Sequence, residues 1–357
     1  MPISAVDATN LAFQHTKRQL FQPFRFGQWV RLAFVGLLAG ELGSGGGNLN
    51  PQRFNAAQHS RFPLGQVIPK IDPAIWIPLV AILVVSGLVF LIVMAYISSV
   101  MRFVLFDSVL TKRCRVRAGW FTRQQPGWNY FLWQLGFAFF SFAGALVLFG
   151  LPAAFAFAMG WFSPPNAHVL QLVLGGIVVL VLFGAYAVAI ALVHVLTKDF
   201  VVPQMALEGI TAVEGWRRLL PLLRTEQRDY IVYVVMKIVL SIAGAMLVGI
   251  ITFILFLLIA IPVAGVVAAG VIAGKAAGYT WSALTITAAV VAGCILLALF
   301  FFLVSLISVP VLVFFPAYSI YFFAARYHVL SLALYPQQST DNPPGFLPAG
   351  SAPLPAG

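Results

Sequence analysis

The chain has 357 residues, 9% of them charged, a formal net charge of +11 and a mean hydropathy of +0.97. Soluble domains carry about 25% charged residues, so a water-soluble globule is excluded and lipid must solvate most of the surface. The cations gather at the ends of apolar runs and form no stripe interleaved with exposed aromatics, so they read as membrane topology and nucleic acid is not an expected partner.

Residues 1–27 read as an amphipathic N-terminal segment on the cytoplasmic side, with Leu11, Phe13, Leu20, Phe21, Phe24 and Phe26 alternating with Lys17, Arg18 and Arg25. Such a segment suits a headgroup surface. The polar first twenty residues argue against a cleaved leader. The next apolar run, 28–40, is short of the ~20 residues that cross a bilayer. It must thin the membrane, borrow flanking residues or be buried among other helices. Arg31 and Glu41 bracket it.

A Gly-, Asn- and Pro-rich loop precedes a charge-free span at 74–100, and a basic loop over 101–129 comes after it. Spans at 130–161 and 169–196 form a hairpin turned by Pro164 and Pro165. Two further spans are expected at 230–261, ended by Pro262, and at 282–309, with Pro310 and Pro316 breaking the chain beyond it. Residues 263–281 fit a loop, a re-entrant segment or a weak extra span equally well. The tail 336–357 has the composition of disorder. The expected fold is therefore an all-α, polytopic transmembrane bundle of about six spans within 28–335, with amphipathic connecting helices. With the N-terminus inside, sixteen of the 21 Lys+Arg fall on the cytoplasmic side, four lie outside and Lys237 lies within a span. That asymmetry points to a bacterial inner membrane protein with both termini cytoplasmic.

The longest charged run between apolar blocks is 197–232, holding five of the ten acids. Thr211 and Glu214 have capping-box spacing, and Glu214 and Arg218 are a favourable i, i+4 pair. Leu207, Ile210, Val213, Trp216, Leu220 and Leu223 suggest one apolar stripe on a short, bent helix under the bilayer. Arg217, Arg218 and Arg224, with Trp216, are then the candidate contacts for anionic lipid headgroups or a membrane protein partner; the alternative is a connector packed on its own bundle. Residues 103–120 and 200–216 both run from Phe-Val to Gly-Trp, which fits a duplicated helix–loop–helix or chance.

Lys237 is the candidate intramembrane functional residue, about seven residues into its span. There it needs a partner or a cavity, unless it snorkels to the headgroups. His194 is a second, near the inner end of its span. The five histidines are scattered, no metal or nucleotide motif occurs, and the two cysteines make no disulfide framework, so neither catalysis nor a cofactor is expected.

Three stretches, 20–34 (LFQPFRFGQWVRLAF), 199–209 (DFVVPQMALEG, continued by Glu214-Gly-Trp-Arg217) and 314–324 (FFPAYSIYFFA), together resemble a group of uncharacterised bacterial polytopic proteins. That group is kin to the membrane domain of some glycerophosphodiester phosphodiesterases. The resemblance implies a helical bundle without catalytic chemistry of its own, since in fused members a separate soluble barrel hydrolyses the substrate. It carries no functional residue over. The expected role is lipid or protein interaction through the basic amphipathic loops, and the alternative is small-solute or lipid transport using Lys237 in a polar cavity.

Overall fold

The computed structural model describes residues 4–41, 73–161, 168–276, 278 and 283–335. All regular structure among them is helical: α1 (Ala5–Phe21), α2 (Phe26–Leu38), α3 (Pro73–Leu110), α4 (Val116–Thr122), α5 (Gln124–Ala158), α6 (Val169–Leu196), a π-helical turn (Thr197–Val201), α7 (Val202–Glu208), α8 (Ala212–Thr225), α9 (Gln227–Ala276), α10 (Ala283–Ala324) and α11 (His328–Leu334). Five of these, α3, α5, α6 with its continuation, α9 and α10, are long and apolar enough to cross a membrane. Their most apolar stretches are only 0–6% buried within the chain, so lipid rather than protein solvates them.

Apart from Ala156, the buried side chains lie within 5–41, 99–131, 196–233 and 305–330. The molecule therefore has a packed core at one end, built from the two N-terminal helices, the short connecting helices and the basic ends of the long ones. Apolar arms extend from it. The stretches 20–34, 199–209 and 314–324 converge on this core: Leu20 and Leu32, Phe200 and Met205, and Phe322 and Phe323 are all fully buried.

Proline does not end the long helices where expected. Pro262 lies within α9, which runs on to Ala276, and Pro310 and Pro316 lie within α10. Residues 263–276, expected as a loop, a re-entrant piece or a weak extra span, thus continue a helix. A proline removes a single backbone N–H bond, and in an apolar setting the remaining ladder keeps the helix intact. The basic stretch 101–129 is likewise mostly helical, α3 extending to Leu110 before α4 and α5. The tail and the loop before α3 lie outside the described residues.

Helix α2 is about 20 Å long at 1.5 Å per residue, and it solves its shortness by burial: Leu32, Ala33, Val35 and Gly36 are enclosed, with Gly36 against Leu312. Gly40, at φ +73°, turns the chain so that Glu41 is buried.

The sequence does not single out the face of α1 that turns inward. Ala5, Ala8, Ala12, His15, Thr16, Gln19 and Leu20 face the core, whereas Phe13 and Phe21 are exposed. Small alanines let α1 approach α10 closely, and the polar members are bonded inside. His15 Nε2 lies 3.1 Å from both Val109 O and Gln19 Oε1, and Nδ1 lies 3.1 Å from the Tyr321 hydroxyl. A carbonyl can only accept, so Nε2 carries the proton and Nδ1 accepts from Tyr321. Burial, with Lys112 nearby, holds the His15 pKa below its ordinary value.

A neutral His15 therefore stabilises the docked α1 fully above the unfolded histidine pKa of about 6.5, and that contribution falls as pH drops below it toward the folded value. The protection of α1 amides from hydrogen exchange, corrected for the intrinsic pH dependence of the exchange chemistry, is expected to fall between pH 7.5 and 5.5 in the wild type. His15→Gln should remove that pH dependence.

Candidate functional site

The lower end of α6 does not stop at the core but loosens into the π turn. Val202 N–H reaches back to Thr197 O, and Pro203, lacking an N–H, could not bond Asp199 O in any case. The turn carries Lys198 and Asp199, consecutive residues that both point into the protein: their side chains are 14% and 4% exposed. Lys198 pairs with Glu41, and Asp199 pairs with Lys237 of α9. Tyr233 donates to Asp199 Oδ2 at 3.0 Å. Arg102 of α3 lies 3.6 Å from Glu41 and donates to the Tyr130 hydroxyl on α5, while its other nitrogen is 3.4 Å from Ala39 O.

The network thus links α2, α3, α5, the π turn and α9 with three cations and two carboxylates. The space beside it is about 30 Å³, roughly enough for one or two waters.

The candidate residues fare differently in this arrangement. Lys237 is not a snorkelling lysine; it is 12% exposed and held by Asp199. His194 is exposed on α6, one turn before Lys198; it makes no hydrogen bond to the network but stands near enough to feel the charges of Arg102, Lys198, Glu41 and Asp199. Trp216 faces inward, its indole N–H donating to Thr197 Oγ1 at 3.0 Å, and so clips α8 to the π turn. Arg218 is engaged by Glu208 and, at 3.2 Å, by Glu214. Arg217 is 84% exposed, with only Glu214 at 3.8 Å, and Arg224 is exposed.

Helix α8 is amphipathic as expected, and Thr211 caps it by accepting from Glu214 N–H. Its buried face, however, runs through Ala212, Gly215 and Leu219, while Val213 and Leu220 are exposed. Gly215 decides the rotation: a Cβ there would stand 2.7 Å from Val201, so the helix seats with that glycine against the π turn. The outer face then reads Val213, Arg217, Leu220, Arg224, an apolar and basic alternation at helical spacing.

The two Phe-Val…Gly-Trp stretches are built alike. Gly119 packs on Val104 as Gly215 packs on Val201. The charged residue before each Phe-Val, Arg102 or Asp199, bonds the seventh residue of the next long helix, Tyr130 or Tyr233. Each tyrosine also packs against the preceding phenylalanine, ring centroids 5.9 Å and 5.1 Å apart. One turn beyond each tyrosine stands the polar residue that completes the cluster, Gln134 or Lys237. The two units therefore share a packing plan with different charges, as expected of a duplicated helix–loop–helix.

Sequence reading missed Asp199, Lys198, Glu41 and Arg102 as Lys237's companions, having placed the first two in a solvated loop. The available signal was that a lysine inside a span requires an anion, and Asp199 stands at the end of the preceding span.

Elsewhere in the core, Arg326 is held by Glu226 and by Asp229 at 2.8 Å, and stacks 4.0 Å from the Phe322 ring centre. Arg123 bonds Asp107 through two nitrogens at 2.7 and 2.8 Å. No cluster of His, Cys, Asp or Glu suited to a metal ion occurs among the described residues. Cys114 is buried, which raises its thiol pKa, and Cys294 is exposed.

Fold and site together define an all-helical, polytopic membrane protein with a buried ionic network at the junction of its arms and its core. A family model of unknown function, DUF7544, matches residues 3–333, and the chain belongs to that family. No curated protein and no solved structure matches it.

Removing one member of a buried pair leaves an uncompensated charge, at a cost of about 3–5 kcal/mol. Lys237→Met and Asp199→Leu are each expected to lower the unfolding midpoint in detergent sharply. The double variant should recover much of the loss, because both charges leave together; a double variant no better than the worse single one would show that the two residues are not coupled.

Proposed function

We propose that this is a non-enzymatic protein that engages anionic lipid through the basic face of its core, which lies at the cytoplasmic side of a bacterial inner membrane. The observation that carries this reading is how charge is distributed. Seven of the described acids, Glu41, Asp107, Asp199, Glu208, Glu214, Glu226 and Asp229, are engaged with cations of the same chain. The cations that stay exposed sit beside exposed apolar side chains: Arg217, whose one carboxylate contact is Glu214 at 3.8 Å, and Arg224 beside Val213 and Leu220, and Lys17, Arg18 and Arg25 near Phe13, Phe21, Phe24 and Phe26. Apolar side chains give such a surface its insertion, and the arginines steer it toward anionic headgroups.

Kinship with the membrane domain of glycerophosphodiester phosphodiesterases forms part of the proposal. It is supported by the convergence of 20–34, 199–209 and 314–324 on one core, and it suits a protein that handles lipid without hydrolysing it. A transport role would need a path for its solute, and the space lined by Glu41, Arg102, Lys198 and Asp199 is only about 30 Å³.

Each exposed cation near an anionic surface is worth about 1 kcal/mol. Arg217→Gln with Arg224→Gln should therefore reduce binding of the purified protein to anionic vesicles roughly thirtyfold. Arg218→Gln should affect stability more than lipid. Unchanged binding to anionic vesicles in the double variant would overturn the reading.

A further inference from the structure

We propose that the groove between α2, α4 and α10 is a dedicated site for a single anionic phospholipid, its phosphate held by Arg31, Arg115 and Arg117 and an acyl chain lying over Ala298, Phe301 and Phe302. The inference rests on the lipid-interaction reading above and goes beyond it, from a surface to one bound molecule. The groove holds about 750 Å³, within the range of roughly 300–1,000 Å³ usual for ligand sites. Its wall chemistry is divided. The three arginines belong to α2 and to the start of α4, whereas the apolar floor is the part of α10 that lies within a membrane span. A lipid could thus slide in from the bilayer with its chain never leaving an apolar surface.

Charge complementarity selects the headgroup. None of the three arginines has a carboxylate within ion-pair distance among the described residues, although Arg102, Arg123, Arg218 and Arg326 all do. All three are exposed. Cys114, between α3 and α4, lies close enough to Arg31 to feel its charge, so α4 and α2 bring their cations to one rim. Guanidinium groups match phosphate oxygens bidentately and are weakly hydrated, which suits a phosphodiester at the edge of hydrocarbon. A zwitterionic choline headgroup would add its own cation to that rim and bind less well.

The full-length protein in mild detergent, titrated with phosphatidylglycerol or phosphatidylcholine and weighed by native mass spectrometry, tests this. One phosphatidylglycerol adduct is expected in preference to phosphatidylcholine. Arg31→Gln, Arg115→Gln and Arg117→Gln combined should weaken it on the order of a hundredfold. Ala298→Trp, which fills the floor and removes no charge, should also abolish it, whereas Arg217→Gln with Arg224→Gln should leave it intact. As a second readout, the fluorescence of Phe302→Trp should be quenched by phosphatidylglycerol brominated on its acyl chain and not by the choline equivalent. Loss of lipid only in the Arg217/Arg224 variant would leave the surface reading standing and overturn the groove. An adduct insensitive to Ala298→Trp and displaced by inorganic phosphate would overturn it in favour of a bare phosphate site. No preference for phosphatidylglycerol in any variant would overturn both.

Discussion

A lysine inside an apolar helix must find an anion, and here that requirement organises the core. Lys237 on α9 reaches Asp199, and Asp199 can meet it only because α6 widens into a π turn before Pro203. The same turn presents Lys198 to Glu41, which also faces Arg102. Charges desolvated to this degree repay their burial only through close geometry and further hydrogen bonds. Tyr130 and Tyr233 supply those bonds, and the network fixes how five segments meet. Such an arrangement contributes specificity of packing more than stability, because an apolar replacement of the same volume could be as stable and less selective.

The twofold use of one packing plan gives this network its form. Each unit brings a long helix down to a Phe-Val, turns, and seats a Gly-Trp helix back against the valine. What differs is the charge. The first unit places Arg102 against Tyr130, with the neutral Gln134 one turn on; the second places Asp199 against Tyr233 and Lys237. Opposite charges at equivalent positions contribute to a single cluster with Glu41 and Lys198, so the two units are joined electrostatically as well as by packing.

Consuming the acids internally has a consequence outside. Ten acids among 357 residues are few, and pairing seven of them with cations of the same chain leaves much of the positive excess on surfaces that also expose phenylalanine, valine and leucine. Neither property alone would favour a lipid surface: exposed apolar side chains would aggregate, and cations alone would remain in water. Together they match a bilayer boundary, where hydrocarbon and anionic headgroups lie side by side.

The class of protein, the long spans and the amphipathic character of α8 were legible in composition and periodicity, because hydropathy integrates over many residues and survives local error. The capping threonine at 211 and the paired Phe-Val…Gly-Trp stretches were legible too, being short-range patterns. What periodicity could not supply was which face of α1 and α8 turns inward: the aromatic face of α1 points out because alanines pack more closely on α10, and Gly215 rotates α8 past its expected stripe. Pro262 and Pro310 misled for a related reason, since a proline's local penalty is set against a whole span's need to keep its backbone bonded away from water. The partner of Lys237 lies 38 residues away in the chain. Sequence alone determined that such a charge needs a partner, a cavity or a reach to the headgroups; only the placing of the π turn beside α9 decided that Asp199 matches it, because proximity between distant residues is a property of packing and not of order along the chain.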